Sequence, residues 1–125
     1  MNNILLIITG SIAASRCKEI ITLLDINEVK ISCILTKESK KYIKISDIKK
    51  LLKNRIFTDE DEKRNKMLHI NLSRKNDIIV VCPATANSIA KFANGYGDNL
   101  SSNTLLASNK KILFVPAMNL SLIHI

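Results

Sequence analysis

The stretch that decides the fold is NNILLIITGSIAAS, residues 2–15. Residues 2–9 form a continuous aliphatic run, which suits a strand buried on both faces of a parallel sheet. From Ser11 onward the apolar spacing turns helical. Ile12, Cys17, Ile20, Ile21 and Leu24 fall on one side, Arg16, Lys18 and Glu19 on the other, and the helix is expected to end near Asn27.

The same alternation continues along the chain. Val29 to Leu35 (VKISCIL) is a second β-branched run, and Thr36 to Leu52 returns to helical spacing with many lysines toward water. The stretch from Lys53 to Lys66 (KNRIFTDEDEKRNK) is the most polar of the chain and is expected to be a solvated loop with little regular structure. Asp77 to Cys82 (DIIVVC) is the third expected strand and Lys111 to Val115 (KILFV) the fourth. Between them, Thr85 to Asn94 and Asn99 to Ser108 are helical, separated by Gly95-Tyr96-Gly97. Strands alternating with helices require right-handed crossovers. The expected architecture is therefore α/β, a three-layer Rossmann-like (flavodoxin-like) doubly wound parallel sheet that stops after the fourth strand.

Composition bounds the function. The 125 residues are 46% hydrophobic, 24% charged and 4% aromatic, with only three Gly and two Pro, as in one small globular domain. No apolar run approaches the roughly 18 residues of a membrane span, and Ile4 to Ile8 reads as a strand and not as a signal peptide, so a cytoplasmic protein is expected. The formal charge of 19 − 11 = +8 invites a nucleic-acid reading. The lysines, however, are scattered and not interleaved with aromatics, so no nucleic-acid partner and no membrane partner is expected, while an acidic ligand stays compatible with the charge. Cys17, Cys33 and Cys82 are odd in number and lack CxxC spacing, which suggests buried thiols and neither disulfides nor a metal site.

Open parallel sheets bind ligands beyond the carboxyl ends of their strands. The four strand exits here are Thr9-Gly10-Ser11-Ile12, Thr36-Lys37-Glu38-Ser39, Pro83-Ala84-Thr85-Ala86-Asn87-Ser88 and Pro116-Ala117-Met118-Asn119. Small, hydroxyl and amide residues are ordinary turn chemistry at one exit; at four exits that the fold gathers, they point to a ligand site. Neither G-x-G-x-x-G nor G-x-x-x-x-G-K-[ST] is present, which leaves a mononucleotide cofactor open. Gly10-Ser11 allows close backbone approach, and Thr36, Ser39 and Ser88 offer hydroxyls to a terminal phosphate. Pro83, Ala84 and Ala86 offer a flat uncharged wall to an aromatic ring system.

GSIAAS at 10–15, HINL at 69–72, PATANSIAKFANGYGDNL at 83–100 and PAMN at 116–119, in this order and spacing, resemble the homo-oligomeric flavin-containing cysteine decarboxylases, and within them the branch that serves coenzyme A biosynthesis. The resemblance implies an FMN enzyme that oxidises the cysteinyl thiol of 4′-phosphopantothenoylcysteine, releases CO₂ and returns the electrons to give 4′-phosphopantetheine. His69 matches the family's active-site histidine, a residue whose ordinary pKa suits proton transfer at neutral pH. Asn119 matches the asparagine that holds the substrate carboxylate. Gly10, Ser11, Ile12, Thr36, Ala84, Thr85 and Asn87 fall where the family holds FMN, with Ser88, Asp98 and Met118 beside them; Asp98 equally fits the N-cap of the following helix. None of the three cysteines matches the family's catalytic cysteine, which belongs to a clamp further along the chain. The resemblance also implies a homotrimer, or a dodecamer built from trimers.

The family continues differently after its asparagine. LSLIHI, residues 120–125, is what a common transposon-type sequencing adapter reads in one frame, so residues 1–119 are expected to be an incomplete flavoprotein domain and 120–125 a non-native tail. Three alternatives accompany this reading. A peptidyl-cysteine decarboxylase differs in its substrate clamp, a flavin prenyltransferase lacks the His and PAMN motifs, and a non-catalytic flavin-binding regulatory subunit would tolerate loss of His69.

Overall fold

The computed structural model describes residues 3–116 apart from residue 54. In chain order it contains β1 (Asn3–Ile8), a 3₁₀ turn (Ile12–Arg16), α1 (Cys17–Ile26), β2 (Lys30–Leu35), a second 3₁₀ turn (Glu38–Lys41) and α2 (Ile45–Leu52). There follow β3 (Ile56–Phe57), α3 (Asp59–Arg64), α4 (Leu68–Lys75), β4 (Ile78–Ala84), α5 (Ala86–Ala93), α6 (Leu100–Ala107) and β5 (Lys111–Pro116). The strands form one parallel sheet in the order β3-β2-β1-β4-β5. Met118, Asn119 and the tail 120–125 lie outside the described residues.

The centre of the sheet follows from β1. Leu5, Leu6, Ile7 and Ile8 are all buried, and successive side chains of a strand point to opposite faces. Leu6 and Ile8 join Ala14, Cys17, Ile21, Ile48 and Leu52 in a core beneath α1 and α2. Leu5 and Ile7 join Ile79, Val81, Leu68, Leu72, Leu100 and Leu105 in a second core beneath α4 and α6. A strand without a polar face thus has helices on both sides, which is the expected doubly wound α/β fold. Each buried Leu or Ile contributes on the order of 1.5–3 kcal/mol.

Several elements differ from expectation: the first helix starts as the 3₁₀ turn Ile12–Arg16, and α4, which carries His69, was not foreseen. The four expected strands keep their order, but a fifth, β3, adds at the edge by pairing Cys33 with Ile56 and Ile34 with Phe57. It comes from the stretch 53–66 that polarity assigned to loop, as does α3. That helix is only six residues long with no buried residue, yet Thr58 and Asp61 close a capping box at its N-terminus, and Asp61 accepts the Thr58 N–H at 2.8 Å. The single expected helix from Thr36 to Leu52 is also broken. Ser39 donates from its hydroxyl to the Thr36 carbonyl at 2.7 Å, while Tyr42 and Ile43 both donate to the Ser39 carbonyl; Ile43 then turns into the first core before α2 begins.

Among the described residues no helix is long and apolar enough to cross a membrane. Cys17 and Cys33 are buried and Cys82 is half-buried; the Cys17 thiol donates to the Cys82 carbonyl at 3.2 Å. Burial, aided by Cys82, pushes the Cys17 thiol up to about 12, and burial raises Cys33 and Cys82 as well. All three therefore stay protonated at neutral pH and lack the thiolate that makes a cysteine reactive.

Leu6→Ala is expected to cost about 2–5 kcal/mol in urea unfolding, because the site lies between two well-packed strands. Leu23→Ala, at a position 62% exposed on α1, is expected to stay within about 0.5 kcal/mol of the parent.

Candidate functional site

The exits of β1, β2 and β4 meet at one edge of the sheet. Thr9 donates from its hydroxyl to the Pro83 carbonyl, tying the end of β1 to that of β4. Thr36 donates from both its backbone N–H and its hydroxyl to the Ile8 carbonyl at 3.2 Å, tying β2 to β1. Between these ties opens a cleft of about 180 Å³. Ile7, Val81, Phe92 and Leu105 give it an apolar lining; Thr9, Thr36, Thr85, Asn87, Ser88, Asn99, Ser101 and Ser102 supply hydroxyls and amides.

Two helices begin at this cleft. Thr85 and Ser88 close a capping box on α5, with Ser88 N–H donating to Thr85 Oγ1 at 3.1 Å and Thr85 N–H donating to Ser88 Oγ at 3.0 Å. Asn99 and Ser102 do the same for α6, at 2.9 and 3.1 Å. Each helix start carries partial positive charge, so two of them facing one hollow favour an anionic group there.

Gly10 has a structural reason beyond turn chemistry. A Cβ at this position would collide with the Cβ of Glu38 and stand 3.0 Å from its backbone carbonyl carbon. The close approach expected of Gly10 is therefore made to the neighbouring loop, which brings Glu38 to the cleft rim. Glu38 and Lys91 are its two charged lining residues. Lys91 Nζ is 3.1 Å from Asp98 Oδ2 and Ser102 donates to Asp98 Oδ1 at 3.2 Å. The Lys91 hydrogen bond first, with Ser102 helping, holds the Asp98 carboxyl below the usual carboxylate range. The N-cap of α6 is Asn99 and not Asp98.

Of the residues singled out in the sequence, Gly10, Thr36, Thr85, Asn87 and Ser88 line the cleft together. Ser11 lies just outside the lining as N-cap of the first 3₁₀ turn, where its hydroxyl accepts from Ala13 N–H at 3.3 Å, and Ile12 beside it is 78% exposed. Ser39 does not reach the cleft: it is fully buried and its hydroxyl is engaged by Thr36, so it cannot serve a phosphate. The Ala84 side chain is likewise sealed in the second core. Thr9 and Glu38, which belong to the strand exits without being singled out there, also line the cleft, and Lys91, Asn99, Ser101 and Ser102 come from outside those exits. Lys91 had a signal, standing three and four residues after Ser88 and Asn87 on one face of a helix.

His69 lies near the start of α4 and does not line the cleft. Its Nδ1 is buried, with Glu62 Oε2 3.5 Å away. Asn103 of α6 donates to both Glu62 oxygens at 3.3 Å, and Asp59 accepts the Leu100 N–H at 3.0 Å. The polar segment thus joins the histidine to the helix that walls the cleft.

The sequence matches the family model described as Flavoprotein over residues 1–124. The chain belongs to the flavoprotein family. This flavoprotein is 32% identical over 118 residues to the coenzyme A biosynthesis bifunctional protein CoaBC of Vibrio vulnificus, a match covering 93% of the chain but only 29% of the relative's length. Among solved structures it is similar to a PPC decarboxylase mutant complexed with pantothenoylaminoethenethiol, with a TM-score of 0.80 and 31% identity over 94% of this chain and 67% of that one. It is equally similar to the peptidyl-cysteine decarboxylase EpiD, with a TM-score of 0.80 and 32% identity over 98% and 74%. The donor set of the cleft fits a flavin: apolar side chains for a flat ring, amides and hydroxyls for its polar edge, and two helix starts with Lys91 for a phosphate.

Gly10→Ala in this flavoprotein is expected to destabilise it by roughly 1–3 kcal/mol through overpacking, and Glu38→Gly is expected to restore part of that loss in a double-mutant cycle, because the Glu38 Cβ is the atom met. Asp98 is expected to titrate below an ordinary aspartate by NMR and to rise toward it in Lys91→Gln. A lowered carboxyl contributes its stability above the unfolded-state value and loses it as pH falls through the folded one, so the Lys91→Gln difference fades at acid pH.

Proposed function

We propose that the intact protein binds FMN in this cleft and catalyses the decarboxylation of 4′-phosphopantothenoylcysteine to 4′-phosphopantetheine in coenzyme A biosynthesis. The observation that carries the reading is the convergence of Gly10, Thr36, Thr85, Asn87 and Ser88 on one apolar-lined hollow, in a flavoprotein whose curated relative serves that pathway. When bound, FMN supplies the oxidation of the cysteinyl thiol to a thioaldehyde, which lets the adjacent carboxylate leave as CO₂, and the return of the electron pair to the product.

The residues of this chain have separate duties in that reaction. Asn87 and Lys91, with the starts of α5 and α6, hold the cofactor's phosphate; Thr36 and Ser88, whose hydroxyl protons go to the Ile8 and Thr85 carbonyls, offer acceptor oxygens to its polar edge, and Gly10 lines the hollow with Ser11 and Ile12 beside it. Ile7, Val81, Phe92 and Leu105 keep water from the ring side of the hollow. His69 accepts the proton of the substrate thiol, Asn119 holds the substrate carboxylate, and Met118 adds to the cofactor's contacts. The single-chain cleft of about 180 Å³ is smaller than the roughly 300–1,000 Å³ of ordinary ligand pockets, and Ile12 stands exposed at its edge. Both features support a homo-oligomer, a trimer or a dodecamer of trimers, in which a second copy completes each site and brings its His69 to it.

The test is expression of the full-length gene. A yellow protein with a flavin absorbance band and CO₂ release from phosphopantothenoylcysteine is expected. His69→Asn is expected to keep the band and to lower CO₂ release by about 10²-fold or more. A colourless protein overturns the flavin reading. A yellow protein that releases CO₂ only from a cysteine-ended peptide assigns it to the chemistry named for its peptidyl-cysteine neighbour, and one that releases none from either assigns it to a regulatory role.

A further inference from the structure

The segment from Asp59 to Glu62 is the most acidic run of the chain, and the fold gives its carboxylates different partners. Asp61 caps α3, Asp59 holds the first N–H of α6, and Glu60 meets Lys40 at 3.8 Å near the surface. Glu62 faces inward. Its side chain is 22% exposed, and Oε2 lies 3.5 Å from Nδ1 of His69, a nitrogen that is buried and makes no hydrogen bond among the described residues. A buried ring nitrogen left unpaired is costly, and the Glu62 carboxylate 3.5 Å away is an acceptor that can relieve it through a charge-assisted bond. Asn103 keeps the carboxylate in place by donating to both of its oxygens.

We infer that Glu62 is a positioning residue for His69: its carboxylate accepts the Nδ1–H, so the neutral imidazole carries its proton on Nδ1 and keeps Nε2 as the free base. The inference rests on the proposed role of His69 in taking the thiol proton. In that step the substrate S–H bond breaks, an Nε2–H bond forms, the electron pair stays on sulfur, and the positive charge arising on the ring stands beside the Glu62 carboxylate. Without the carboxylate, a neutral histidine favours the opposite tautomer, with Nε2 already protonated and unable to accept. Asn103 belongs to the same device one step removed, since it restrains Glu62 and does not touch the ring.

The readout is the pair of imidazole ¹⁵N chemical shifts of His69, measured in the full-length protein at a pH where the ring is neutral; the signals lost in His69→Asn assign them. The parent is expected to show the Nδ1–H tautomer, Glu62→Ala to invert it to Nε2–H, and Asn103→Ala to shift it part of the way. In turnover, Glu62→Ala is expected to lower kcat on the order of 10-fold with KM little changed, the signature of a lost orienting group. An Nε2–H parent, or ¹⁵N shifts unmoved in both variants while thermal unfolding shows them folded, overturns the inference. Tautomer inversion alongside full turnover by His69→Asn upholds the positioning and overturns the catalytic role instead.

Discussion

A strand with no polar face has to be covered twice, and that requirement organises this protein. Leu5 and Ile7 cannot be buried by the helices that bury Leu6 and Ile8, so the chain crosses the sheet to both sides. Because parallel strands all leave at the same edge, the crossovers bring the ends of β1, β2 and β4 within reach of one another. Two threonines then fasten the edge through neighbouring carbonyls, Thr9 to Pro83 and Thr36 to Ile8. The cleft is a product of core packing before it is a product of any residue that lines it.

The legible part of the sequence was the part governed by this packing. The aliphatic runs of β1, β2, β4 and β5 report burial directly and locally, while the cap of α6 was legible only to within one residue, Asn99 standing where Asp98 fitted the sequence as well. Ser39 was misjudged because a hydroxyl after a strand looks the same whether it faces a hollow or its own backbone; only the break of the chain at Tyr42, with Ile43 drawn into the core, decides that it faces inward. Ala84 failed for a related reason, since the strand's alternation turns its methyl to the core.

The stretch from Lys53 to Lys66 hid the most. Its two-residue strand is specified by the partners Cys33 and Ile34, far away in sequence, and its six-residue helix has no apolar stripe to betray it. What holds α3 is polar and long-range: Thr58 with Asp61 at its start, Asp59 to Leu100 and Glu62 to Asn103 across forty-one residues of chain. Charge patterning along a sequence cannot distinguish a carboxylate that solvates from one that reaches another helix. The same blindness applies to Lys91, whose position is set by Asp98 across the Gly95-Tyr96-Gly97 turn.

The tether from α3 to α6 has a consequence for how such a domain can be remodelled. An engineer trimming surface to make a minimal scaffold would remove the hydrophilic excursion from Thr58 to Arg64 first, as the piece with no buried apolar side chain. Here that excursion is the splint of the binding wall, because it clasps α6 at its first N–H and one turn later. Shortening it leaves the hydrophobic interior intact while freeing one rim of the hollow to drift, so tolerance of a deletion by the fold and tolerance by the ligand would part company at this segment.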